Sequence, residues 1–250
     1  MKMNIVKAYF SPTGKTQNVV EQIAAGIGRP SQTVNLTPFD ARWRKYTFSR
    51  DDLVILGTPV YGGRIPANKP EIFRCLSGNG TPVVCVVTFG IGGYGDALLE
   101  LCNECEKRGF HIVAAAAWNR GSRLTHAAAP GQNDDDAAAL SFGKRIAEKL
   151  AKGRPNKPAV KGHIPYRPYR EVNLVPKWDD KCQHCGICAR ECPVQAIPPS
   201  SPSNIDPYRC LSCGRCVMLC PSGALHFDKK AVSFIEKTSS TENKSSEFVI

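Results

Sequence analysis

The sequence predicts an α/β protein. A doubly wound, five-stranded parallel sheet fills residues 1–152, and a small cysteine-rich α+β domain follows at 179–230. Three observations carry this prediction. Strand-like and helix-like patterns alternate through the first part. A proline-rich, basic stretch breaks the pattern at residue 153. Eight cysteines then fall in a duplicated spacing between residues 179 and 228.

Residues 3–10 (MNIVKAYF) read as the first strand, and Val19, Val20, Ile23, Ala24 and Ile27 mark a helix over 15–27. A short second strand fits 31–36. Residues 52–57, 82–88 and 110–117 are near-continuous apolar runs, as strands covered on both faces should be. Helical patterns occupy 94–108 and 134–152, with a shorter one at 68–76. Residues 153–178 hold five prolines and read as an extended linker. Residues 231–250 include TSSTENKSSEF and read as a polar, disordered tail.

The formal charge of +11 is uneven: +5 over 1–150, +6 over 151–178 and zero over the last 72 residues. No nucleic-acid motif accompanies it. The N-terminus lacks the long apolar core of a signal peptide, and no run approaches the length of a membrane span. Twelve cysteines therefore point to metal ligands in a reducing cytoplasm rather than to a secreted disulfide framework.

Three loops follow strands one, three and four of the predicted sheet, at the carboxyl edge where doubly wound sheets bind ligands. The first, Ser11-Pro12-Thr13-Gly14-Lys15-Thr16, ends like an ATP-binding phosphate loop. The glycine that opens that loop is missing, because Tyr9 stands at its position. The shorter loop suits one terminal phosphate at a helix start; a plain helix cap is the alternative reading. The second loop runs Thr58-Pro59-Val60-Tyr61-Gly62-Gly63-Arg64, and the third Thr88-Phe89-Gly90-Ile91-Gly92-Gly93-Tyr94-Gly95-Asp96. Glycines let backbone amides approach a flat ring, and an aromatic in each loop could stack on it.

These loops, in this order, resemble those of flavodoxin. The resemblance covers about 150 residues and implies an FMN site. It implies that Ser11, Thr13, Gly14, Lys15 and Thr16 hold the phosphate. Tyr61, Gly62 and Gly63 would face the ring, with Gly90 and Tyr94 on its other side, and Pro59, Val60, Thr88, Phe89 and Gly92 of the same loops would complete the FMN site. Gly62 or Gly63 would supply the peptide that turns its carbonyl toward the reduced ring. This domain is mildly basic, whereas flavodoxins are often acidic around the flavin, so partner charge does not carry over.

The cysteine runs are Cys182-Gln183-His184-Cys185-Gly186-Ile187-Cys188-Ala189-Arg190-Glu191-Cys192-Pro193 and Cys210-Leu211-Ser212-Cys213-Gly214-Arg215-Cys216-Val217-Met218-Leu219-Cys220-Pro221. Each is C-x₂-C-x₂-C-x₃-C-P, the run of bacterial two-cluster ferredoxins, whose fourth cysteine serves the other cluster. Zinc ribbons separate their pairs by a longer gap. Three cysteines in a tight loop reach three corners of one cube, and the fourth points away. The pattern assigns Cys182, Cys185, Cys188 and Cys220 to one [4Fe–4S] cluster, and Cys210, Cys213, Cys216 and Cys192 to the second. Two such cubes and an FMN phosphate would offset about six positive charges.

Other residues promise less. Cys102 and Cys105 share a helical face with Leu98 and Leu101 and read as core, as do Cys75 and Cys85. His184 lies inside a cluster loop and reads as solvent-facing. His111 and His126 have no evident partner. There is no nicotinamide fingerprint and no nucleophile–base pair. The sequence thus favours an electron-transfer protein serving a partner oxidoreductase as donor or acceptor. An FMN-dependent reductase fed by its own ferredoxin domain and an iron–sulfur redox sensor are the alternatives.

Overall fold

A computed structural model describes residues 3–66, 71–90, 92–121, 132–153, 155–169, 174–238 and 246–250. In chain order the α/β part runs β1 (Asn4–Tyr9), α1 (Lys15–Ile27), β2 (Ser31–Asn35), a 3₁₀ turn (Asp40–Trp43), β3 (Tyr46–Phe48), β4 (Asp52–Pro59), α2 (Glu71–Arg74), β5 (Leu76–Gly78), β6 (Thr81–Phe89), α3 (Ala97–Lys107), β7 (Phe110–Asn119) and α4 (Gln132–Ala151). The cysteine-rich part holds β8 (Lys177–Trp178), α5 (Ile187–Arg190), α6 (Arg215–Leu219), β9 (Leu225–His226) and α7 (Lys229–Thr238). The chain closes on β10 (Glu247–Val249).

The main sheet has the order β10-β7-β6-β4-β1-β2. Its five long members are parallel, and their order is 2-1-3-4-5 by appearance among themselves, which is the flavodoxin-like order. Alternation along each strand sorts the core into two layers. In β6, Val84 and Val86 join the layer under α1 and α4, whereas Val83, Cys85 and Val87 join the layer under α3. On the first face α1 and α4 cross at two glycines. A Cβ on Gly26 would lie 2.0 Å from the Leu140 carbonyl oxygen, and one on Gly143 would lie 2.1 Å from that of Ile23. Only glycine permits that approach.

Cys102 and Cys105 are fully buried beside Cys85, with Cys85 Sγ 3.7 Å from Cys105 Sγ, as the core reading of this pair expects. Two predicted features come out differently. The segment read as a disordered tail ends in a strand: β10 pairs antiparallel with β7 and covers an open sheet edge. Phe248 stacks on the buried Trp118 with ring centroids 4.9 Å apart, which gives this short strand its anchor.

The segment read as an extended linker is docked over residues 155–169. Lys157 pairs with Glu106 at 2.8 Å, Asn103 donates to the Tyr166 hydroxyl at 2.6 Å, and His111 meets the Pro155 carbonyl at 3.0 Å. An extended, proline-rich chain has no internal hydrogen bonds, so it takes its partners from the α3 side of the domain. The principal fastening is Asp96, 1% exposed, which accepts from the backbone N–H of His163 at 3.0 Å and of Arg167 at 2.7 Å.

The cysteine-rich part joins the α3-side layer directly. Val194, Ala196, Ile197, Ile205, Leu211 and Leu225 belong to the same buried cluster as Val6, Leu36 and Leu56. Among the described residues, no helix is long and apolar enough to cross a membrane.

Candidate functional site

The loop after β1 delivers the start of α1, whose first turn holds no acidic residue. Its free N–H groups and helix dipole favour an anion there. Ser11 Oγ accepts the Gln17 N–H at 3.0 Å, which leaves the hydroxyl proton to donate. Thr13 and Gly14 are partly exposed. Lys15 Nζ donates to the Arg120 carbonyl at 2.8 Å. Burial, and then the Arg120 charge, lowers the Lys15 pKa below its ordinary value. An anion beside it would reverse that shift. Thr16 is turned inward instead: its hydroxyl lies 2.6 Å from that of Thr88, which ties the first loop to the third.

Arg120, at the carboxyl end of β7, was not among the expected site residues. It is 2% exposed, paired with Asp136 at 2.6 Å and bonded to Asn18 at 2.8 Å. Its place just after the fifth parallel strand is the sequence signal that could have found it.

The second and third loops are tied together. Val60 N–H donates to the Thr88 carbonyl at 2.8 Å. Tyr61 and Arg64 exchange backbone bonds of 2.9 and 3.0 Å around Gly62 and Gly63, both at positive φ. The Gly63 carbonyl accepts the Asp96 N–H at 2.9 Å, so its peptide is held. Arg64 forms a two-pronged pair with Glu100 at 2.6 and 2.7 Å.

The aromatic expectation needs correction. Tyr61 and Tyr94 are 3% and 1% exposed, within the core, so neither ring presents an open face. Tyr94 packs 5.4 Å from Phe89, also buried, and its hydroxyl donates to Glu247 of β10 at 2.5 Å. Burial and the Glu247 carboxylate push its pKa up. The partly exposed members are Pro59, Gly62, Gly90 and Gly92, with Thr13, Gly14 and Lys15 of the first loop. Backbone, rather than aromatic faces, lines this edge. Ile91 and His126 lie outside the described residues.

None of the twelve cysteines is joined in a disulfide. Cys182, Cys185, Cys188 and Cys220 line one cavity, together with Trp178 and His184. His184 is exposed. Cys192, Cys210, Cys213 and Cys216 act on one another. Burial, then the charges of Cys213, Cys210 and Cys192, push the Cys216 thiol far up. Cys210 is raised by burial and by Cys192, against the opposing Ser212 N–H. Thiols crowded this way ionise only against a cation, and binding iron supplies one. Backbone N–H groups already point at sulfur: Ala196 at Cys192 Sγ, 3.2 Å, and Ser212 at Cys210 Sγ, 3.4 Å. Among the described residues no three His, Cys, Asp or Glu are arranged to hold a single metal ion; a four-iron cube spreads its thiolates over separate corners.

The family described as "4Fe-4S dicluster domain" matches residues 181–224. An uncharacterized protein of Methanothermobacter thermautotrophicus is 40% identical over 55 residues, a segment spanning 21% of this chain and 12% of that relative. Similar solved structures include an archaeal flavodoxin (15% identity, 60% of this chain and 99% of that one, TM-score 0.44). Another is oxidised Flavodoxin 2 of Bacillus cereus (16%, 58% and 99%, TM-score 0.41). A third is a point variant of Fusobacterium nucleatum flavodoxin bound to flavin mononucleotide (16%, 60% and 98%, TM-score 0.40). The sheet thus has the flavodoxin-like strand order, and residues 181–224 match the 4Fe–4S dicluster domain family.

Proposed function

We propose that this chain is an electron-transfer protein that binds FMN on the loops after β1, β4 and β6 and two [4Fe–4S] clusters on its eight motif cysteines, and that it serves a partner oxidoreductase. The observation that carries the reading is the shared core. The second cysteine run is packed into the same buried layer as the strands that deliver the flavin loops. When bound, FMN would take electrons singly or in pairs, and each cluster would pass one.

The chain's own residues have three tasks. The α1 amides, Ser11, Thr13 and Lys15 hold the phosphate. The backbone at Pro59, Gly62, Gly90 and Gly92 borders the ring. With the Gly63 carbonyl held by Asp96, Gly62 is the peptide left to reorient its carbonyl toward a ring proton.

Two measurements test the reading. Thr13→Ala removes a charge-assisted hydrogen bond worth about 1.5–3 kcal/mol, so FMN should bind about tenfold or more weakly, while riboflavin, which lacks the phosphate, binds as before. Equal weakening of both would remove the phosphate assignment. In anaerobic titrations, NADH and NADPH alone should leave flavin and cluster bands oxidised, and a reduced low-potential carrier protein should bleach both. Rapid reduction by either nicotinamide would replace the carrier reading with that of an enzyme.

A further inference from the structure

The two cysteine runs share their cysteine spacing, a glycine and a closing proline, but not their surroundings. In the first, Gln183, His184 and Cys185 are all exposed. At the same places in the second, Leu211, Ser212 and Cys213 are all buried. Ser212 is 1% exposed, and its Oγ accepts the Leu174 N–H at 3.0 Å. The next difference is Ile187 against Arg215.

Arg215 is a direct polar link between the second run and the phosphate loop. Its Nη1 donates to the Pro12 carbonyl at 2.9 Å. Its Nε donates to the Glu191 carbonyl at 3.0 Å, and its Nη2 to the Glu191 carboxylate at 2.5 Å. Glu191 immediately precedes Cys192, the ligand that the first run lends to this set. One guanidinium therefore joins residues beside two cysteines of the set, Cys216 and Cys192, to the loop that begins α1. The planar fork spreads its donors over all three acceptors at once, a geometry that the compact ammonium of a lysine does not reproduce. Arg42 adds a second tie from the α/β domain, donating to the carbonyl of Pro193, just after Cys192. No comparable tie reaches the other set among the described hydrogen bonds. Its Cys185 is exposed, beside the half-exposed Trp178.

We propose that the two cysteine sets have fixed and different places. Cys192, Cys210, Cys213 and Cys216 form the inner site, seated on the phosphate loop by Arg215. Cys182, Cys185, Cys188 and Cys220 form the outer site, through which electrons are exchanged with other proteins. Arg215 is a positioning residue for the inner site. The inference rests on the cofactor assignment above. In an electron's passage each site gains one electron and loses one, so no further reactant is needed.

The test uses the reconstituted full-length chain under anaerobic conditions. Iron and flavin contents are measured first; a chain that takes up neither overturns the cofactor reading itself, separately from the inference. In loaded protein, Cys185→Ser and Cys213→Ser identify by electron paramagnetic resonance which signal belongs to which set. An exposed dysprosium chelate should hasten relaxation of the outer signal and leave the inner one nearly unchanged. Arg215→Ala should keep its iron and flavin, shift the inner signal alone and lose the fast phase of flavin-to-iron exchange, with Arg215→Lys intermediate. Equal relaxation of both signals overturns the inner and outer assignment. Loaded Arg215→Ala with an unchanged fast phase and an unchanged inner signal overturns the role of Arg215. Should Arg215→Ala not load, Arg215→Lys decides that role by the same two readouts.

Discussion

Cys192→Ser should lose the cluster of the second cysteine run, although Cys192 belongs to the first. Reconstituted wild-type chain should hold about eight irons and the variant about four. The reason is spatial. Arg215, next to Cys216, bonds the carbonyl and the carboxylate of Glu191, next to Cys192, at 3.0 and 2.5 Å, which brings Cys192 to the second run. The first run keeps Cys182, Cys185, Cys188 and the borrowed Cys220 around a single cavity. Iron analysis combined with paramagnetic resonance checks this. Loss of the signal that Cys185→Ser removes, with the other retained, would reverse the pairing.

Asp96→Ala should release the strap over residues 155–169. The carboxylate accepts two backbone N–H groups, from His163 and Arg167, and lies 3.2 Å from the His163 ring Nδ1 and 3.4 Å from the Arg167 guanidinium. Hydrogen bonds to a buried charge are worth about 1.5–3 kcal/mol each, and an extended strap has no internal bonds to replace them. Amides of 160–169 should then exchange much faster, and limited proteolysis should cut there first. The pH dependence has a definite sign. Burial works to raise the Asp96 pKa, but the Arg167 N–H, the two His163 bonds and the Arg167 charge outweigh it, and the pKa falls below 3.8. The contribution of Asp96 is therefore complete above that ordinary value and is lost only as the pH falls through the lowered one. Strap protection should be flat from about pH 5 to 8 and fail in stronger acid. Protection lost near neutrality would mean that another group holds the strap.

Much of this was legible in the sequence because its signals are local. The helix over 15–27 and the apolar runs of β4, β6 and β7 rest on periodicity and burial, and they emerge within a few residues of expectation. The cysteine spacing is likewise a local record of cluster geometry. What was not legible depends on distant partners. Tyr46–Phe48 and Leu76–Gly78 are too short to show a period and pair only with each other. β10 looked disordered because its flank is polar, yet Phe248 finds Trp118 far away in sequence. The strap looked like a tether because proline-rich chain has no pattern of its own, and Asp96 looked like an ordinary loop residue. The tyrosines illustrate the limit for the site. A ring in a glycine loop suggests stacking, but whether it faces outward is decided by tertiary contacts such as that of Tyr94 with Glu247. Arg215 was closer to visible, since a charge stands in the second run where the first has Ile187.

In the proposed function, flavin and iron sites exchange electrons within one chain, across a docked interface rather than through chance encounters. The most direct measurement is flash photoreduction of the flavin in dilute, anaerobic, fully loaded protein, followed by the bleaching of the iron–sulfur band. Exchange within the chain predicts a first-order bleach whose rate does not change as the protein is diluted. A rate that falls in proportion to concentration, or a reduced flavin beside clusters that stay oxidised, would contradict it.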